Sequence, residues 1–154
     1  MEIKYAKSYF RFKKRMTDPI DRDQAQILHS ERKPYVAVLS QQSIETCFLE
    51  FNDSYIGVGY FDKLKREYLS YQFNESENGK IFLGVATYRE YEEDSDRVII
   101  GTTFHFHPNG RVVVKVQDFI TNKIDIKEKD QDVHGNWEMY PEFGEYESIV
   151  RLNR

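Results

Sequence analysis

The segment VIIGTTFHFHPNGRVVVKV, Val98 to Val116, restricts the fold more than any other part of the chain, because it fixes a strand register. Ile100, Thr102, Phe104 and Phe106 alternate along one side of an extended backbone, and Val112, Val114 and Val116 do the same along the next. A two-residue Asn109-Gly110 turn sets Phe106 against Val113 and puts the apolar faces out of step. A turn from His107 to Gly110, with Pro108 second, Asn109 third and Gly110 left-handed as a bulge, sets Phe106 against Val112 and Phe104 against Val114. Only this second register buries one face cleanly, so it is the one expected.

The rest of the chain repeats the same kind of text. At 154 residues it is the size of one domain, 1–154, with volume for a real core. Eleven Tyr, eleven Phe and one Trp favour pleated sheet over a helix bundle. A net charge of −4 argues against generic binding to nucleic acid or to an anionic membrane, which both require a positive field, and leaves a basic protein as an acceptable partner. One cysteine makes no internal disulfide, the opening MEIKYAKSYFRFKKRM has no apolar h-region, and no run is long enough to span a bilayer. A cytoplasmic location is the expectation.

In chain order, Ile3 to Met16 mixes aromatic residues with cations and reads as a short strand or edge arm. The basic run Lys13-Lys14-Arg15 reads as a solvated face. Thr17-Asp18-Pro19 is a turn or cap signal, and Asp21 to Arg32 is expected to hold one short helix, with Ile27 and Leu28 available for a core side. Pro34 ends it. Strands are expected over Val36 to Leu39, Thr46 to Phe51, Tyr55 to Phe61, Leu69 to Phe73, Ile81 to about Tyr91, the opening hairpin, and Ile120 to Lys129. The turns between them are Asn52-Asp53-Ser54, Ser76 to Gly79 and the acidic Glu92 to Asp96. Strands joined by short turns are antiparallel, so the fold class is α+β: a meandering antiparallel sheet, strongly twisted or partly curled, with one short N-terminal helix over a face or an end.

Several residue groups bear on chemistry. His105 and His107 share a side of one strand at the spacing of a zinc pair, with His134 as a third candidate, but no further ligand completes a recognisable site, and a place on the polar face of the hairpin is the simpler reading; no metal or cofactor is expected. Cys47 shares its side with Leu49 and Phe51 and reads as a buried small apolar residue. Gly57-Val58-Gly59 resembles a phosphate loop only in spacing; no helix follows it, and the glycines read as a bulge or bend that lets the sheet curl. Glu90 with Glu92, or Glu145 with Glu147, offer acid pairs, yet nothing separates their pKa values, so no catalytic residue is assigned.

The C-terminal stretch is the most informative about function. Between Asp125 and Glu147, eight acids, Asp125, Glu128, Asp130, Asp132, Glu138, Glu142, Glu145 and Glu147, face only Lys127 and Lys129, whereas Met1 to Lys33 holds nine Lys and Arg against five acids. Trp137, Tyr140, Phe143 and Tyr146 recur every third residue among those acids, and Pro141 and Gly144 interrupt any regular helix. Such a segment can pack its rings down and keep its carboxylates in water. Equally, negative charge around aromatic anchors such as Trp137 or Tyr140 suits the capture of a basic protein, the field raising the association rate and the rings slowing dissociation.

NWEMYPEFGEYESIVR (Asn136 to Arg151), with FHFHPNGRVVV (Phe104 to Val114) and YIGVGYFDKLKREYLSYQF (Tyr55 to Phe73) before it, resembles the small cytosolic bacterial immunity proteins encoded beside the toxins of contact-dependent growth inhibition and related polymorphic systems. The similarity runs from about Tyr35 to the end. It implies a protein without catalysis of its own that binds the C-terminal domain of one cognate toxin, often a nuclease with a basic surface, and blocks it. The toxin-binding residues expected from charge alone are Asp125, Glu128, Asp130, Asp132, Trp137, Glu138, Tyr140, Glu142, Glu145 and Glu147. Two other classes fit the pattern: a curled sheet holding a small apolar ligand among Tyr55, Tyr71 and Phe73, and a single-strand nucleic-acid binder stacking bases on Tyr60, Tyr68 and Tyr88.

Overall fold

A computed structural model describes all of residues 1–154. Eleven strands form one antiparallel sheet: β1 (Glu2–Phe10), β2 (Arg15–Ile20), β3 (Tyr35–Gln41), β4 (Ile44–Phe51), β5 (Tyr55–Phe61), β6 (Glu67–Glu75), β7 (Lys80–Tyr91), β8 (Val98–Phe106), β9 (Arg111–Asp118), β10 (Lys123–Asp130) and β11 (Trp137–Met139). Two helices accompany it, α1 (Arg22–Ser30) and the single turn α2 (Glu147–Val150). From β3 to β10 each strand pairs with the next in sequence, the meander expected of short turns; β1 returns to pair with β3, and β2 lies outside it. The sheet does not close: β2 and β10 are the free edges of its ten-strand path, and β11 lies off that path against β7. No helix is long and apolar enough to cross a membrane.

The opening hairpin has the expected register: Phe106 lies across from Val112 and Phe104 across from Val114. Gly110 N–H donates to the His107 carbonyl at 2.9 Å and Gly110 sits at φ +92°, open to glycine at little cost. A side chain there would also collide with the Gln131 carbonyl, 2.9 Å from where a Cβ would stand.

The sheet buries both of its faces around β3, whose first six residues are all buried. Tyr35, Ala37 and Leu39 point into the main core with Leu49, Phe51, Ile56, Val58, Phe73 and Ile81. Val36 and Val38 point the other way, into a small second core with Tyr9 and Phe48. α1 starts at Asp21, whose side chain accepts from Gln24 N–H while the Gln24 side chain accepts from Asp21 N–H, a complete capping box. It lays Ala25 and Leu28 on the main core. Ile27, expected on that side, is 56% exposed, because it follows Ala25 and Gln26 on the opposite flank of the turn.

Three elements depart from the sequence reading. Thr17-Asp18-Pro19 is neither turn nor cap but part of β2, an edge strand in which Pro19 needs no N–H partner and Asp18 adopts φ +54°. The tight turn lies earlier, at Arg11 to Lys14, and includes most of the basic run. β11 fills the half of the β7 edge that β8 leaves free, pairing Trp137 with Phe82, and the chain then crosses the main core, where Tyr146 and Ile149 are fully buried.

Candidate functional site

The strap from Tyr140 to Val150 is fixed to the sheet by aromatic packing and by one hydrogen-bond relay. His29 Nε2 lies 3.1 Å from the Pro141 carbonyl, which can only accept, so Nε2 carries the proton. Nδ1 must then accept from the Tyr35 hydroxyl at 2.8 Å, and Tyr35 in turn accepts from the Tyr146 hydroxyl at 3.1 Å. Every partner in the chain is therefore assigned by elimination. Burial lowers the His29 pKa and raises that of Tyr35, which keeps both neutral and the relay intact near neutral pH. Phe143 stacks on Tyr5 at 5.2 Å between ring centroids, and Arg32 sits 3.3 Å over the Tyr140 ring while pairing with Glu75.

On this anchored strap Glu142, Glu145 and Glu147 are all exposed, and none forms an ion pair. Glu145 N–H donates to the Glu142 carbonyl, closing a turn that Gly144 allows with φ +82°. Glu142 and Glu145 thus bound one short turn, and Glu147 opens α2 just beyond the buried Tyr146, all three without a cation beside them.

The other acids named from the sequence are distributed differently. Asp125, Glu128 and Asp130 lie along β10, every residue of which is exposed. There Asp125 sits 3.9 Å from Lys127, and Glu128 pairs with Arg111 at 2.6 Å, a bond that holds its carboxyl below the usual range. Asp132 accepts from His134 N–H at 2.9 Å. Glu138 is only 13% exposed at its side chain and bonds both Arg151 (2.6 Å) and Arg154 (2.9 Å), so its charge fastens the last residues to β11. Trp137 packs on Phe82, and Tyr140 lies under Arg32 against the main core. Both rings are half-buried, committed to packing as much as to solvent.

The opposite face carries a polar cleft that the sequence did not announce. Arg11 bridges two carboxylates, Glu50 at 2.5 Å and Glu67 at 3.3 Å, and Tyr91 donates to the Glu67 carbonyl at 2.8 Å. Arg89 reaches Ser70 at 3.2 Å, and the cleft, ≈ 460 Å³, has Gly57, Gln72 and Thr87 in its walls. Both acids turn onto one guanidinium, an arrangement suited to holding a surface together. Alternation on β4 and β6 places these acids on one face, but only the β1–β2 turn brings Arg11 to them, a contact across 56 residues with no local signal.

The residues named for the alternative classes are divided: Tyr55 and Tyr88 are exposed and Tyr68 is half-buried, while the others are packed inside. Tyr71 and Phe73 belong to the packed main core, and the apolar slot beside them, between Leu83, Phe104 and Phe106, measures ≈ 150 Å³, below the size of ordinary ligand pockets. Tyr60 is buried at 5% exposure, so no base can stack on it, although Tyr88 is open. Cys47 is buried at 3%, and burial pushes its thiol up to about 11. His105, His107 and His134 are exposed, and no group of three His, Cys, Asp or Glu side chains converges at metal-binding distance. Gly57 and Gly59 lie within regular pairing, the register shift coming after Tyr60. Compared with protein-family models, with curated proteins and with solved structures, the chain matches none of them.

Proposed function

We propose that this chain is a cytoplasmic immunity protein, of the kind paired with contact-dependent and polymorphic toxins, that binds the basic C-terminal domain of one cognate toxin and blocks it without catalysis. The observation that carries the reading is the anchored strap: Glu142, Glu145 and Glu147 are exposed and unpaired on a backbone held by the Pro141–His29–Tyr35–Tyr146 relay and the Tyr5–Phe143 stack. Charges fixed in place before encounter lose little entropy on binding and steer a cationic partner by their field. Asp130 and Asp132 add exposed acids without an ion pair at the β10 end of the sheet, and Asp125 and Glu128 contribute less, because each already has a cation beside it.

The test is direct. Cells that produce the toxin domain encoded beside this gene should recover growth when the chain is co-expressed, and the two purified proteins should elute together in gel filtration. Absence of both protection and complex would remove the proposal.

A further inference from the structure

Six Lys and Arg residues of the chain are half-buried: Lys14, Lys65, Arg66, Arg89, Lys115 and Arg154. Four of them hold a carboxylate at 2.6 to 2.9 Å, Lys14 that of Asp96, Lys65 that of Glu45, Arg66 that of Asp62 and Arg154 that of Glu138. Arg89 and Lys115 hold none. Arg89 reaches only the Ser70 hydroxyl, at 3.2 Å, and Lys115 has no polar side-chain partner. Drawing a charge partly out of water without a counter-charge costs free energy, and every other unpaired cation of the chain avoids that cost by lying exposed.

The two exceptions stand over one cleft. Arg89 on β7 lies across from Gly101 of β8, and Lys115 on β9 lies across from Thr103, so the cations flank β8 diagonally, about 12 Å apart at their Cα atoms by strand spacing. Between them is a cleft of ≈ 180 Å³, lined also by Thr87, Gln117 and Phe119, with the Thr87 and Thr103 hydroxyls 3.5 Å apart. Gly101 lets the Phe119 ring settle over the strand: a ring carbon is 3.4 Å from where a Cβ would stand. Carboxylates on the same face are engaged elsewhere, Glu50 and Glu67 by Arg11 and Glu128 by Arg111, and Asp130 stands across from Arg111 at the far end of β10.

We propose that Arg89 and Lys115 bind the phosphate group of a small organic phosphate in this cleft. Charge and donor count select the class. Two cations match a dianion, and the guanidinium, the ammonium, two hydroxyls and the Gln117 amide offer more donors than the two oxygens of a carboxylate accept, whereas the three oxygens of a phosphate ester use them. Phe119, 43% exposed, supplies a flat apolar wall for the carbon portion of the ligand. The inference stands apart from the toxin-binding reading, because the strap packs on the main core and this cleft opens on the other face of the sheet.

Isothermal titration calorimetry of the full chain at about pH 7.5, with ionic strength held constant by chloride, tests it with inorganic phosphate and phenyl phosphate as probes. Each should bind once per chain, the free ion with a Kd of about 1 mM and the ester roughly threefold tighter or better through Phe119. About 10 mM inorganic phosphate should raise the melting temperature by roughly 3–6 °C over chloride of equal ionic strength. Arg89→Met and Lys115→Met should each weaken both probes at least tenfold. Lys115→Met should melt no lower than the wild type in chloride, since it relieves repulsion between like charges, so it decides the matter even where Arg89→Met, which also loses the Ser70 bond, folds poorly. Phe119→Ala should cancel the preference for the ester and keep the free ion bound. No saturable binding of either probe up to about 20 mM, or binding indifferent to Lys115→Met, would overturn the proposal. Succinate bound as tightly as inorganic phosphate would overturn the choice of phosphate, and a free ion preferred to the ester would overturn the organic ligand.

Discussion

Two glycines on the same side of one strand should respond to alanine in opposite ways. At Gly59 an added methyl would stand 2.5 Å from Phe48 Cζ and 2.8 Å from Glu67 Oε1, well inside the roughly 3.5–4.0 Å of comfortable carbon contact. The Glu67 carboxylate can swing away. The Phe48 ring cannot, because it is 1% exposed, stacked on Tyr9 at 4.5 Å and on Phe61 at 5.3 Å, and covered by the Arg11 guanidinium at 5.1 Å. Forcing such a ring aside costs about 1–3 kcal/mol. Alanine also narrows the unfolded ensemble, a gain of about 0.4–1 kcal/mol where the backbone is acceptable to it. Gly59→Ala should therefore lose about 1–2 kcal/mol. At Gly57 the nearest neighbour of an added Cβ is Glu50 Cβ at 3.9 Å, ordinary contact, so Gly57→Ala should be neutral or slightly stabilising. Urea denaturation followed by tryptophan fluorescence reads both; with a slope of about 2 kcal/mol per molar, Gly59→Ala should lower the midpoint by roughly 0.5–1 M. Replacing Phe48 with Leu in the Gly59→Ala background should cost less than the sum of the single changes. Equal effects of the two alanines, or strict additivity with Phe48→Leu, would refute the view that Gly59 exists to admit that ring.

Reversing Glu142 and Glu145 to Lys should leave the circular dichroism spectrum and melting temperature unchanged and slow association with the toxin domain at least tenfold at low salt, by stopped-flow; an unaltered rate would move the docking surface elsewhere on the molecule. The lowered pKa of His29 makes stability depend on pH in one direction: above about pH 6.5 both folded and unfolded chains hold it neutral, and below that the unfolded chain takes up the proton first. Stability should thus fall as pH drops from about 6.5, at no more than about 1.4 kcal/mol per pH unit from this group, and His29→Gln should flatten that part of an equilibrium unfolding profile. Cys47 should react with a water-soluble disulfide reagent only at the rate of unfolding, and a fast native-state reaction would contradict its burial.

The meander was legible because alternation and turn chemistry are local signals, and the Phe104–Val114 register followed from the Pro108-Asn109-Gly110 turn together with the alternating apolar faces of the two strands. What escaped had no local signal. β2 hid behind Asp18-Pro19, a pair that means turn unless an edge strand leaves the proline nitrogen free of duty. β11 is three residues long and owes its form to the vacant half of the β7 edge. The acidic stretch was visible as composition, but composition does not say which charge is spent: Glu138 is held by Arg154, sixteen residues further on, while Glu142 is held by nothing. The same reading saw that Tyr140, Phe143 and Tyr146 could pack down, and not that His29 would be the post to which they are tied.

The bonds that fasten the strap join groups 111 and 112 positions apart, whereas nearly every other pairing joins chain neighbours. Closing so long a loop yields nothing until helix and sheet are both in place to receive it, so the strap docks late in assembly. A half-made molecule would present its hairpins but not a fixed row of Glu142, Glu145 and Glu147. On the proposed function, competence to bind through those carboxylates reports completion of the whole fold, and lesions far from them, at Tyr35 or His29, should disarm the protein as surely as changes to the carboxylates.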